Sequence, residues 1–308
     1  MIPVRDLARQ DEPLRAEIAA AVQRVIAGGR FILGPEVEAF ERAFAAYCGV
    51  RHCVGVASGT EALQIALLAA GIEPGDEVIT VAHTAAATVA AVELAGARPV
   101  TVDIDPERMT LNPRLLPAAI TPRTRAILPV HLYGQPAELE SLLAVAAQYH
   151  LAVIEDCAQA AGASYRGRPA GAWGLAGAFS FYPTKPLGAY GDGGAIVTDD
   201  PDLAEAARRI RQYGWDADRI SRRSGMNSRL DELQAAVLMV KLAHLEESIA
   251  ERRRLAGLFE KELTAARLSK PARFADSMSA WYAYVVRHPD RDALRAHLLR
   301  SGIATAVH

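Results

Sequence analysis

The sequence predicts an α/β protein with a mostly parallel central sheet and helices on both of its faces. Short apolar runs suited to buried strands recur along the chain, and helical stretches lie between them. Repeated strand–helix order of this kind favours a parallel sheet, because each crossover lays a helix against the sheet. The 308 residues are long enough for two domains or one large α/β body, and an apolar fraction of 51% suits a sizeable core.

After a short arm, Pro13 to Ile26 has the spacing of an amphipathic helix. Pro35 to Cys48 is the next, with Val37, Phe40, Phe44 and Tyr47 forming an apolar stripe. Ser58 to Ala70 reads as a helix whose start is rich in small and hydroxyl-bearing residues. Buried strands are expected at Val78–Val81, Arg98–Val102, Ala126–Val130 and Val153–Glu155, with helices at Ala85–Glu93 and Ala137–Tyr149. Ala178–Tyr182 reads as a strand, followed by Lys185 between Pro183 and Pro186. A glycine-rich turn, Gly188–Gly194, precedes a strand at Ala195–Thr198 and a helix at Leu203–Gln212. Leu230–Leu255 is read as one long helical region crossing into a smaller terminal domain, with the boundary near Glu247. There, Ala280–Arg287 is expected as a strand and Asp292–Ser301 as a helix. The expected division is therefore 1–247 for an arm and a large domain, and 248–308 for a small C-terminal one.

Bulk properties narrow the function. A formal net charge of -2 gives no reason to expect nucleic-acid binding. Cys48, Cys53 and Cys157 form neither a disulfide framework nor a close metal-ligand set, so no metal is expected. The opening Met-Ile-Pro-Val-Arg-Asp lacks a charged-then-apolar leader, and His83 and Glu93 interrupt the apolar stretch from Thr80 to Gly96. A cytoplasmic enzyme without membrane attachment is the simplest expectation. Arginine supplies 30 of the 34 basic residues, and the first lysine is Lys185, followed by Lys241, Lys261 and Lys270. Arginine serves a charged surface equally well, but only a lysine amine can lose its proton and attack an aldehyde.

Three short segments carry chemistry. Val153-Ile-Glu-Asp156-Cys-Ala-Gln159 puts polar side chains just beyond a buried run, at the strand end where open parallel sheets bind ligands. Asp156 suits a protonated pyridine nitrogen, and Gln159 can donate to the ring's phenolic oxygen. The other reading of Asp156 is a helix cap. Ser58-Gly59-Thr60 offers hydroxyls and backbone donors at a helix start, a natural phosphate site; it also reads as an ordinary capped helix. Ser180-Phe-Tyr-Pro-Thr-Lys185 adds a further phosphate ligand and an amine for an aldehyde, where an isolated lysine would otherwise be a surface residue.

In this order the segments resemble the DegT/DnrJ/EryC1/StrS family of sugar aminotransferases. Ser58-Gly-Thr-Glu-Ala-Leu63, Ile154-Glu-Asp-Cys-Ala-Gln-Ala160, Phe179-Ser-Phe181, Lys185 before Gly191-Asp-Gly-Gly194, Arg211-Gln-Tyr-Gly-Trp215 and Gly225–Ala236 carry the likeness over nearly the whole chain. The resemblance implies the aspartate-aminotransferase fold (type I of the pyridoxal-phosphate enzymes), with a smaller C-terminal α+β domain. It implies pyridoxal 5'-phosphate linked to Lys185, and pyridoxamine phosphate as the form that carries the amino group. Gly59, Thr60 and Ser180 are then phosphate ligands, Asp156 faces the ring nitrogen, and Gln159 faces the ring's oxygen side. Asn227 reaches the phosphate of a neighbouring subunit, which implies a homodimer with composite sites. The family often has an aromatic residue where this chain has Ala85, so the ring-stacking partner is open, with His83 a candidate that also reads as a loop or inter-subunit residue. Relatives continue beyond the position of His308, so an incomplete small domain is expected.

The implied reaction transfers an amino group from glutamate to a keto nucleotide sugar, with a dTDP-linked 3-keto-6-deoxyhexose as the expected acceptor. A C4 aminotransferase acting on a UDP, GDP or dTDP 4-keto sugar is the main alternative. The others are a sugar dehydratase, which carries histidine at the position of Lys185, and a noncatalytic regulatory protein.

Overall fold

The computed structural model describes residues 1–308. Helices α1 (Leu7–Asp11), α2 (Arg15–Gly28) and α3 (Pro35–Cys48) lead into strand β1 (His52–Val56) and helix α4 (Gly59–Ala69). The alternation continues through β2 (Glu77–Val81), α5 (Ala86–Leu94), β3 (Arg98–Val102), α6 (Leu116–Ala119), β4 (Thr124–Ile127), α7 (Leu139–Tyr149) and β5 (Ala152–Asp156). The short strands β6 (Ser164–Tyr165) and β7 (Arg168–Pro169) precede β8 (Ala176–Ser180), β9 (Gly194–Thr198) and α8 (Pro201–Ile210). The chain ends with α9 (Glu232–Ala243), α10 (Leu245–Glu262), β10 (Ser277–Met278) and α11 (Arg291–Arg300).

Seven strands form the main sheet in the order β1-β9-β8-β5-β4-β2-β3. Neighbours from β8 to β3 run parallel, while β9 is antiparallel to both β1 and β8. The expected mostly parallel α/β sheet is thus present. Alternation along β8 and β9 sends Phe179, Ala195 and Val197 to one face and Ala178 and Ile196 to the other. On the first face, Phe44 packs edge-on against Phe179 and Phe181 with ring centroids 5.0 and 5.3 Å apart. The second face is covered by α4 and α8.

Helix α3 begins at Pro35 with Gly34 as its N-cap, and no local side chain caps it. The carboxylate of Glu232, in the first turn of α9, accepts the N–H groups of Gly34, Glu36 and Val37 at 2.7, 2.9 and 2.9 Å. A residue nearly two hundred positions away therefore satisfies the orphan donors of α3 and locks it to α9.

Three expectations fail here. Strand β1 was not anticipated, because His-Cys-Val-Gly-Val carries a polar residue and a glycine within five positions. Gly55 allows a close approach there, since a Cβ would lie 3.0 Å from Leu230 Cβ. The region Leu230–Leu255 is two helices, interrupted at His244, whose N–H turns to Lys241 O three residues back. Ala280–Arg287 is not a strand. The N–H groups of Ala280 and Tyr282 donate to Gly134 O and Tyr133 O in a large-sheet loop, and Trp281 sits at φ 49. Those donors are consumed by the site's own loop and cannot build a ladder. The second sheet instead joins β10 to β6 and β7, all antiparallel.

Glu155 and Asp156, adjacent on β5, point to opposite faces. Glu155 is fully buried and accepts four hydrogen bonds: Gly171 N–H and His131 Nε2–H at 2.8 and 2.9 Å, and the N–H groups of Trp173 and Gly174 at 2.8 Å each. His131 Nδ1 accepts from Ala137 N–H at 3.0 Å, which leaves the ring proton on Nε2. His131, Glu155 and Cys157 lie together, but the donors of the first two are committed to this clamp on the 171–174 loop. Burial pushes the Glu155 carboxyl up, and the bond from His131 with those from the loop outweighs it, leaving the group below the ordinary glutamate value.

Replacing Glu155 with Gln places an amide NH2 against N–H donors, and should cost about 2–4 kcal/mol in denaturant unfolding. A depressed carboxyl stabilises the fold above its unfolded value and loses that stabilisation as pH falls through the folded one. Wild type should therefore lose this share of stability on acidification, and the variant, already without it, should not; equal acid sensitivity would refute the assignment.

Candidate active site

A cavity of about 240 Å3 opens where β5 and β8 end and α4 begins. Seven of the anticipated positions line it: Gly59, Thr60, Ala85, Asp156, Gln159, Ser180 and Lys185. A second cavity, of about 350 Å3, lies between the 107–109 and 133–135 loops and the 270–287 segment. It contains none of the anticipated residues.

Ser58 caps α4, its hydroxyl accepting Glu61 N–H at 3.2 Å, and Gly59 and Thr60 follow as the first helical residues. Backbone N–H groups at these positions have no partner in the helix and face the helix's positive end outward. Gly59 is required by contact: a Cβ there would lie 2.5 Å from Ser180 Cβ. The absence of a side chain lets the helix start press directly on the end of β8. Amides and hydroxyls from two elements then converge, an arrangement suited to a phosphate.

Asp156 is 4% exposed. Its Oδ2 accepts from Thr88 Oγ1 at 2.8 Å and its Oδ1 from Ala158 N–H at 3.1 Å, and no cation pairs with it. A buried carboxylate that receives only neutral donors lacks a counter-charge. Gln159 Oε1 accepts Tyr133 N–H at 2.6 Å. Because that donor must meet an oxygen, Nε2 is left as the free, donating end of the amide.

Lys185 is half-buried in the Pro-Thr-Lys-Pro turn, its N–H bonded to Tyr182 O at 2.8 Å. The other lysines are committed to carboxylates: Lys241 to Asp11 at 2.7 Å, Lys270 to Glu260 at 3.0 Å and Lys261 to Glu262 at 3.9 Å. Lys185 forms no ion pair. Its Nζ lies 5.1 Å from the centroid of the Tyr282 ring, on whose face the Arg5 guanidinium also packs, at 4.2 Å.

Ala85 lines the cavity and offers no ring to stack on. His83 stands to one side, with Nε2 3.2 Å from Tyr133 OH; burial, then the neighbouring His308, holds its imidazole below the ordinary value. Asn227 is exposed, bridged to Gln212, and does not line the cavity of its own chain. The three cysteines are buried and burial pushes their thiols up, so none is poised as a nucleophile. Sequence reasoning overlooked Thr88 and Thr84. Two threonines spaced i, i+4 among alanines at a helix start were the available signal, but only the folded chain shows that they lead to the carboxylate at the end of β5.

The residues fit a phosphorylated pyridine aldehyde. The α4 start matches the phosphate, uncompensated Asp156 matches a protonated ring nitrogen, and the lysine without an ion pair matches the aldehyde. The fold is that of the fold type I pyridoxal-phosphate enzymes, and the residues of the cavity suit that cofactor. The chain belongs to the DegT/DnrJ/EryC1/StrS aminotransferase family, whose sequence profile matches residues 12–308. It is 49% identical to dTDP-3-amino-3,4,6-trideoxy-alpha-D-glucose transaminase of Streptomyces venezuelae, across 100% of this chain and 81% of the relative. It is 46% identical to UDP-2-acetamido-2-deoxy-3-oxo-D-glucuronate aminotransferase of Pseudomonas aeruginosa, across 100% of this chain and 86% of that one. Among solved structures, S. venezuelae DesV in complex with a ketimine intermediate superposes with a TM-score of 0.96 at 49% identity, covering 98% of this chain and 82% of that one.

Gly59→Ala should weaken pyridoxal phosphate binding by about tenfold and cost about 1–3 kcal/mol of stability, because the helix start must retreat from Ser180. Gly257→Ala, in α10 with open space around it, is the control and should be neutral or slightly stabilising. Equal cofactor affinity in Gly59→Ala and wild type would remove the close-approach argument.

Proposed function

We propose that the chain transfers an amino group from glutamate to the C3 keto group of a dTDP-linked 6-deoxyhexose. The observation that carries the cofactor half of this reading is the buried, unpaired Asp156 facing the same cavity as the one lysine outside any ion pair. The substrate half is supported by the relatives, a 3-amino transaminase and a 3-oxo aminotransferase, which differ in nucleotide but share the carbon. Lys185 argues against a sugar dehydratase, where a histidine is expected in its place.

In this reading Lys185 holds the cofactor aldehyde covalently when no substrate is bound. Its free Nζ would carry the proton from the donor's α carbon to the cofactor's aldehyde carbon, and in the second half of the cycle would carry a proton from that carbon to the sugar's C3. Asp156 fixes the ring nitrogen in its protonated form through a charge-assisted bond. Gln159 Nε2 donates to the ring oxygen and so sets the ring's rotation. Gly59, Thr60 and Ser180 anchor the phosphate, which holds the reacting carbon within reach of Lys185. When bound, pyridoxal phosphate supplies the electron sink, and in its pyridoxamine form it stores the amino group between half-reactions.

The active form in this reading is a homodimer in which Asn227 of the partner subunit completes the phosphate site. Its support is the exposure of Asn227, together with Phe31, Ile32, Tyr190, Tyr213 and Ile220, large apolar side chains left open to solvent. Residues 1–247 form the arm and large domain and 248–308 the small one. No helix is long and apolar enough to cross a membrane, and we place the enzyme in the cytoplasm.

Borohydride reduction of the cofactor-loaded protein should leave the label on the peptide containing Lys185. Lys185→Ala should lose at least about 10²–10⁴-fold in turnover while still binding cofactor noncovalently. Label at another lysine with normal turnover by the variant rejects the assignment. Supplied with glutamate and paired 3-keto and 4-keto nucleotide sugars, the enzyme should aminate the 3-keto compound; conversion of only the 4-keto partner overturns the C3 reading.

Mixed dimers of a Lys185→Ala chain with an Asn227→Ala chain should regain activity, because one site collects both defects and the other escapes both. Mixed dimers as inactive as the parents would show that the sites are not shared.

A further inference from the structure

Thr88, on α5, is completely buried and is among the residues that line the site cavity. Its hydroxyl donates to Asp156 Oδ2 at 2.8 Å, and its oxygen lies 2.7 Å from the hydroxyl oxygen of Thr84, one turn earlier. A hydroxyl has a single proton. With that of Thr88 committed to the carboxylate, the shared bond to Thr84 has one possible direction, from Thr84 to Thr88. The two hydroxyls thus form a directed relay ending on Asp156, and each bond polarises the next. The other oxygen of Asp156 is held by Ala158 N–H at 3.1 Å. One donor on each oxygen fixes the plane of the carboxylate, which a single bond would leave free to rotate.

We propose that Thr88, fed by Thr84, is a positioning residue that sets the plane of Asp156 against the cofactor's ring nitrogen. The inference rests on the reading of Asp156 as the ring-nitrogen partner and extends it to two side chains that need not touch the ring. The chemistry requires a hydroxyl at 88 rather than a particular volume, so Ser should serve and Val should not. Thr84 also lines the cavity, and its action on Asp156 passes through Thr88.

The test titrates cofactor-free protein with pyridoxamine 5'-phosphate, which cannot link to Lys185 and therefore reads the noncovalent contacts alone. Thr88→Val should weaken binding by about 10- to 100-fold, the loss expected when a hydrogen bond to a charged group is removed. Thr88→Ser should restore affinity to within about threefold, and Thr84→Val should cost less than Thr88→Val. Thr88→Ala replaces the Val variant if valine prevents folding. In an Asp156→Asn background Thr88→Val should add little, because a residue acting through Asp156 has nothing left to position.

Wild-type affinity in both Thr88→Val and Thr88→Ala overturns the inference while leaving the cofactor reading intact. So does failure of Ser to rescue, or an undiminished effect in the Asp156→Asn background. If Asp156→Asn binds pyridoxamine phosphate as wild type does, or wild type does not bind it, the reading of Asp156 falls and the inference falls with it.

Discussion

Strand β5 carries two adjacent carboxylates into the interior, and a buried carboxylate is prohibitively costly unless something compensates it. Strand alternation sends them to opposite sides, and the protein treats them differently. Glu155 is saturated by His131 and three backbone donors, so its charge is spent on structure, clamping the loop from Gly171 to Gly174 against the sheet. Asp156 receives neutral donors and no cation, so its charge remains available. That difference separates a saturated carboxylate from one without a counter-charge within a single peptide step.

The rest of the site is arranged around this strand end. In a parallel sheet the carboxyl ends of neighbouring strands and the starts of the following helices gather on one edge. Ser180 arrives from β8, Gly59 and Thr60 from α4, and Lys185 from the turn after β8. The convergence depends on close contact between backbones. Gly59 presses on Ser180, and a side chain at Gly194 would strike the carbonyl of Ser58. Packing tight enough to exclude a methyl group brings helix amides and strand hydroxyls to one place without long, mobile side chains. Long-range caps such as Glu232 on α3 hold the surrounding helices in register.

The lysines show the same division of labour. Lys241, Lys261 and Lys270 meet carboxylates, whereas Lys185 lies near the Tyr282 face in a proline-bounded turn. An amine outside any ion pair can exchange partners, as the proposed attachment of an aldehyde to Lys185 requires. Arg5 and Tyr282 bring the N-terminal arm and the C-terminal segment beside that amine. This explains why Ala280–Arg287 does not become a strand: its backbone donors serve the loop carrying Tyr133 and Gly134.

The parallel α/β order and the polar set Gly59, Thr60, Asp156, Gln159, Ser180 and Lys185 were legible in the sequence, because apolar periodicity marks the elements and each polar residue sits just past an element's end. Residues whose meaning depends on partners far along the chain were not legible. Nothing near Glu232 shows that it caps α3, and nothing near Thr88 shows that it holds Asp156. The short β1 and the irregular Ala280–Arg287 segment were misjudged because a strand is defined by its neighbour's ladder rather than by its own pattern. By itself, then, the sequence determined the alternation of strands and helices around a mostly parallel sheet and offered the polar residues that line the cavity. Tertiary structure alone decided which of those groups meet and which carboxylate stays unpaired, because hydrogen bonds and charge compensation inside a folded chain are settled across space.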